Sequence, residues 1–86
     1  MATEDILAER QKTHGDFATH AHIAQALKDA AFIRGKDTLS FTQREALEMI
    51  LHKIARIVNG DPNHKDHWDD IAGYATLAAR ELNKNA

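Results

Sequence analysis

No cysteine occurs in the chain. That rules out a disulfide staple and a thiolate zinc site, and it fits a reducing cytosol. No stretch approaches the roughly 20 apolar residues of a membrane span. The opening residues, MATEDILAERQKTHGD, lack the apolar segment of a signal peptide, so neither membrane nor export is expected. Neither sign of charge dominates: 11 Lys and Arg face 13 Asp and Glu, a formal net charge of −2. Proteins that coat polyanions need a basic excess, so bulk nucleic-acid binding is not expected and any phosphate recognition must be local. With only 86 residues and no staple, the chain sits near the lower limit for burying a core alone. Oligomerisation is the usual remaining way to gain buried surface.

Strand signals are nearly absent, because nothing alternates with period two. Helical periodicity is strong instead. A first segment spans about Thr3 to Thr13 and ends before Gly15. A second begins at Asp16, a good N-cap, and runs to about Ile33, with Phe17, Ile23, Ala24, Leu27, Ala30 and Ala31 on one side. A third runs from Thr42 to Asn59, preceded by the capping-box pattern of Ser40 with Gln43 or Thr42 with Glu45. Leu47, Ile50, Leu51, Ile54, Ile57 and Val58 give it a broad apolar face, and Gly60 ends it. A fourth starts between Asp61 and Asp66 and reaches Leu82, its core stripe being Ile71, Ala75, Ala78 and Leu82. The expectation is one all-α domain over residues 1–86: a bundle of three long helices plus a shorter N-terminal one, assembled as a homo-oligomer.

The stretch KIARIVNGDPNHKDHWDDIAGY, residues 53–74, gathers unusual charge around one turn. Lys53 and Arg56 lie one turn apart on the third helix, while Asp66, Asp70, Gly73 and Tyr74 share a stripe on the fourth. An antiparallel pair would bring these flanks together. Three readings compete. One is a salt-bridge network, Arg56 to Asp70 and Lys53 to Asp66, with exposed pairs contributing only about 0–1 kcal/mol each. The second is a Mg²⁺ site built from Glu45, Glu48, Asp66, Asp69 and Asp70. The third is a phosphate clamp, with the fork of Arg56, the point charge of Lys53 and Tyr74 stacked on a base. His14 and Asp16, at the start of the second helix, are placed to close such a pocket. His64, His67 and Asp70 could ligate a transition metal, but their spacing alone is unspecific. Gly73, in a helix interior, implies close approach by another helix or by a ligand. No convincing nucleophile is present, so covalent catalysis is not expected.

HGDF, LHKIARI and DHWDDIAGYA together resemble a group of short phage and prophage helical proteins. In these a (H/Y)GD element precedes a K-x-x-R helix and a D-x-x-x-D-x-x-x-Y helix. The matching positions are His14, Gly15 and Asp16; Lys53 and Arg56; and Asp66, Asp70 and Tyr74. More distantly, Glu45-x-x-Glu48 followed by Asp66-x-x-Asp69 is similar to the all-α NTP pyrophosphatase (MazG-like) superfamily, which binds Mg²⁺ through paired acidic helices. Here the first helix lacks the doubled glutamate and the second has aspartate for glutamate. Lys53 and Arg56 also add positive charge, which weakens cation binding and favours anions.

The resemblance therefore implies a phage-type nucleotide-binding protein in the cytoplasm of a bacterial host cell. It would be non-catalytic and cofactor-free, sequestering a phosphorylated nucleotide such as a host-defence signal. The expected ligand-binding residues are His14, Asp16, Lys53, Arg56, Asp66, Asp70 and Tyr74. The alternatives are a Mg²⁺-dependent nucleoside triphosphate pyrophosphohydrolase and a ligand-free oligomeric interaction module.

Overall fold

A computed structural model describes residues 2–84. The described residues form α1 (Thr3–His14), α2 (Phe17–Ala31), α3 (Phe41–Asn59) and α4 (Lys65–Lys84), with no strand among them. The local signals act where the sequence places them. Asp16 caps α2, its Oδ1 accepting from the Thr19 N–H at 2.9 Å. Ser40 and Gln43 form both halves of a capping box that starts α3 one residue earlier than expected. α2 stops at Ala31 rather than Ile33, because Phe32 leaves helical geometry and the chain turns through Gly35. No described helix is long and apolar enough to cross a membrane.

α3 is the middle of the bundle. It packs along α4 on one flank and α2 on the other, and α2 and α4 make no contact with each other. Small residues let the helices approach: Ala46 and Ala55 of α3 and Ala24 of α2 are buried, and Ile57 joins them. α1 packs against α2 and α3, meets His67 of α4 at its last two residues, and buries no residue. The bundle is drawn out, 48 × 25 × 23 Å, with a radius of gyration of 14.8 Å. A spherical domain of this length would have about 12 Å.

The apolar faces are not all covered. Phe17, expected in the core of α2, is 80 % exposed at the first position after the cap. Ala75 and Leu82 of α4 are exposed, and the inward stripe is His67, Asp70, Ile71, Tyr74 and Ala78 instead. The rotation follows from Asp70, which turns inward to meet Lys53. Gly73 makes no close helix crossing: a Cβ built there meets nothing within 4 Å. Gly73→Ala is accordingly expected to stabilise the chain by about 0.5–1 kcal/mol, through the helix propensity of alanine. A rise in the urea midpoint would show this. A fall would mean that something packs on that spot.

Candidate nucleotide pocket at the α1–α2 junction

Three chain segments are tied together where α1 gives way to α2. The Thr13 carbonyl accepts from the Asp61 N–H at 3.0 Å and from His67 Nε2–H at 3.1 Å. A carbonyl can only accept, so this contact fixes the His67 tautomer. Asn59, the last residue of α3, donates through Nδ2 to the His14 and Asp16 carbonyls at 3.2 and 2.9 Å. Gly15 (φ 77°, ψ −178°) lies in a region that is essentially restricted to glycine. A Cβ on Gly15 would strike Asn59, and one on Gly60 would strike the Thr13 carbonyl. The H-G-D and N-G-D triplets of the sequence are thus two halves of one interlocked turn.

Beside this knot lies a pocket of about 400 Å³. Arg10 reaches it from α1 and Arg56 from α3; His14, Asp16, Phe17 and His20 complete the working wall. Arg56 is half-buried, and among the described residues its guanidinium forms no hydrogen bond or ion pair. Two carboxylates lie near it without pairing with it: Asp16 on the same wall, one oxygen of which caps α2, and Asp70, which is bonded to Lys53. His14, His20 and His52 all have their pKa lowered, by burial first, with the Arg56 charge adding to it in each case. The imidazoles meet in two sets: His67 with His14, tilted at 4.9 Å, and with His64, edge-on at 4.7 Å; and His20 edge-on to His52 at 5.9 Å. His20 is buried, and its Nδ1 has no hydrogen-bond partner. An unpartnered buried polar atom costs about 1–3 kcal/mol.

These shifts set a pH dependence. A histidine with a lowered folded pKa binds fewer protons when folded than when unfolded, so its contribution is present above the unfolded value of 6.5 and is lost as pH falls through the folded pKa. The urea midpoint should therefore fall between pH 7.5 and pH 5, well before carboxylates titrate. An unchanged midpoint over that window would show the rings to be as free as in the unfolded chain.

The expected site is brought together only in part. His14, Asp16 and Arg56 share the pocket wall. One oxygen of Asp16 is already committed to capping α2, which also lowers its pKa. Lys53 is not a free phosphate ligand. It is 8 % exposed and bonds Asp70 at 2.8 Å, a contact that lowers the Asp70 pKa. The expected pairing of Lys53 with Asp66 and Arg56 with Asp70 is thus replaced: Lys53 faces α4 alongside Ala46 and Ile57, while Arg56 turns towards α1. Asp66 lies near His64 at 3.8 Å on the exposed start of α4. Tyr74 is half-buried and not part of the pocket wall.

The carboxylates offered for Mg²⁺ are dispersed. Glu48 sits between Lys28 and Lys36 at 3.7 and 3.9 Å, Asp69 bonds Lys65 at 2.7 Å, and Glu45 is exposed. Among the described residues no three His, Asp or Glu side chains converge as a metal-ligand set, which also disperses the His64–His67–Asp70 candidate. The residues present do not fit a Mg²⁺ centre.

Arg10, Phe17 and His20 were not expected in the site. Phe17 and His20 carried a signal, since both lie within one turn of the H-G-D element. Arg10 carried none, because only the tertiary placement of α1 brings it to the cavity that Arg56 lines.

The chain belongs to a family known by the description "domain of unknown function" DUF6378, whose profile matches residues 1–82. No curated protein and no solved structure matches it significantly.

Proposed function

For a member of a family with no assigned activity, we propose a small nucleotide-binding protein that holds a phosphorylated nucleotide in the α1–α2 junction pocket without turning it over. The observation that carries the reading is Arg56: a half-buried guanidinium with no carboxylate partner, lining the same cavity as Arg10. A cation in that state gains most from an anion with planar, bidentate acceptors, and a phosphate supplies them. Arg56 and Arg10 hold the phosphate. Phe17, whose ring lies 5.9 Å from that of His20, offers an exposed face for a base. The Lys53–Asp70 pair stands behind Arg56 and holds α3 against α4.

The biological half of the proposal, sequestration of a nucleotide signal by a phage-type protein in the cytoplasm of a bacterial host, comes from the sequence resemblance and not from any contact. A nucleotide panel with and without Mg²⁺, read by thermal shift and by product analysis, tests both halves of the chemistry. The expected result is a metal-independent rise in melting temperature with the nucleotide recovered intact. Hydrolysis that requires Mg²⁺ would replace this reading with a pyrophosphohydrolase. No shift with any nucleotide would leave an interaction module.

A further inference from the structure

With α4 and α2 covering two flanks of α3, two sides of the layer remain open. One presents Glu45, His52 and Arg56, and α1 lies against part of it. At about 100° per residue, the opposite side presents Leu47, Ile54 and Val58. Leu47 is 40 % and Val58 65 % exposed.

The Lys53–Asp70 bond sets how α4 is turned. It puts the Asp66 and Asp70 flank on the Arg56 side, so the other flank of α4 lies with Leu47 and Val58. That flank carries Trp68, Ala72, Ala75, Ala79 and Leu82, all exposed and none charged. Their spacing of four, three, four and three residues is the repeat of a helix that packs along another helix. The indole N–H of Trp68 is already satisfied by the Pro62 carbonyl at 2.8 Å, which leaves the ring as apolar surface.

The areas say how much is uncovered. The chain exposes 6296 Å². A folded monomer of 9.6 kDa is expected to expose about 5,100 Å², an excess of about 1,200 Å². Part of that lies on α1, which buries no residue. The remainder is of the order that one partner gives up in a standard dimer, about 800 Å². A single layer of helices has no second layer to close its core. The contributing side chains of α3 and α4 are uncharged, so setting this face against its own copy across a two-fold axis brings no like charges together among them.

We propose that this face is the interface of a symmetric homodimer in which the α3–α4 layers of two copies pack together and the alanines of α4 let the helices approach closely. The pocket at the α1–α2 junction lies on the far side, so the proposal stands independently of nucleotide binding.

Sedimentation equilibrium of the full chain, over about 1–100 µM, should give twice 9.6 kDa. Val58→Glu should move the distribution towards monomer, raising the dissociation constant roughly a hundredfold or more. Because that variant could also unfold, two single-cysteine chains provide a second readout, made possible by the absence of native cysteine. Ala75→Cys on the proposed interface should react with a maleimide roughly tenfold more slowly than Thr76→Cys on the outer side of the same helix turn. Both positions are exposed in the single chain. A monomer throughout the concentration range would overturn the proposal. So would equal labelling rates in a chain that does dimerise, or a monomer that assembles only with a different protein.

Discussion

An Arg56→Ala chain is expected to bind nucleotide roughly 10–100-fold more weakly than the parent while melting within a few degrees of it. The size follows from losing a hydrogen-bonded charge contact, worth about 1.5–3 kcal/mol, and the conversion of that energy to affinity. The small effect on stability follows from Arg56 having no carboxylate partner to strand. Removing it also relieves the repulsion that disfavours protonation of His14, His20 and His52. Arg56→Lys should fall between the two, because it keeps the charge and loses the planar fork. Glu48→Ala is the matched control. Glu48 lies outside the pocket wall, with Lys28 and Lys36 at 3.7 and 3.9 Å, so binding should be unchanged. Binding that survives Arg56→Ala but fails in Glu48→Ala, measured by calorimetry, would favour the metal-dependent alternative.

The largest loss of stability is expected from Gly15→Ala, about 3–5 kcal/mol. Two costs combine there. The backbone conformation, φ 77° and ψ −178°, is strained by about 1–3 kcal/mol for any residue with a Cβ. The new methyl would also strike Asn59, and overpacking of a fixed junction costs typically 1–3 kcal/mol. For a domain of this size that is a melting temperature lower by about 12 °C or more. Gly60→Ala should carry the packing cost alone, about 1–3 kcal/mol, because its φ is −120° and its new methyl would meet the Thr13 carbonyl. Gly35→Ala separates the two costs. Gly35 has a φ of 84° but open space around it, so only the backbone term of about 1–2 kcal/mol applies. Equal losses at Gly15 and Gly35 in thermal denaturation would show that the interlocked turn is not tight.

What the sequence makes legible is local. The capping box of Ser40 and Gln43, the Asp16 cap and the terminating Gly15 and Gly60 are short-range hydrogen-bond and backbone signals, and they place the helix ends within about two residues. Rotation of each helix about its axis is not local. Asp70 reads from the sequence as a ligand-binding residue or as the partner of Arg56, yet it bonds Lys53 instead, with α4 turned so that Ala75 and Leu82 face outward. The same bond removes Lys53 from the expected clamp. Asn59 carries no motif, but its two carbonyl contacts join positions more than 40 residues apart. His14 and Asp16 were recognisable from their place at a helix start beside Gly15, and Arg56 from its spacing of one turn from Lys53. Arg10 sits on a helix with no buried side chain, so no apolar pattern announces which way it faces.

The cavity lined by Arg10 and Arg56 is the proposed phosphate site. Backbone amide shifts of the full, isotope-labelled chain, followed while a binding nucleotide is titrated in without metal, test it most directly. The prediction is saturable movement concentrated at His14, Phe17, His20 and Arg56, with the Arg56 guanidinium resonance shifting most and the far face of α4 silent. Saturable movement centred instead on Asp66, Asp69 and Tyr74, with the junction residues unmoved, would contradict it.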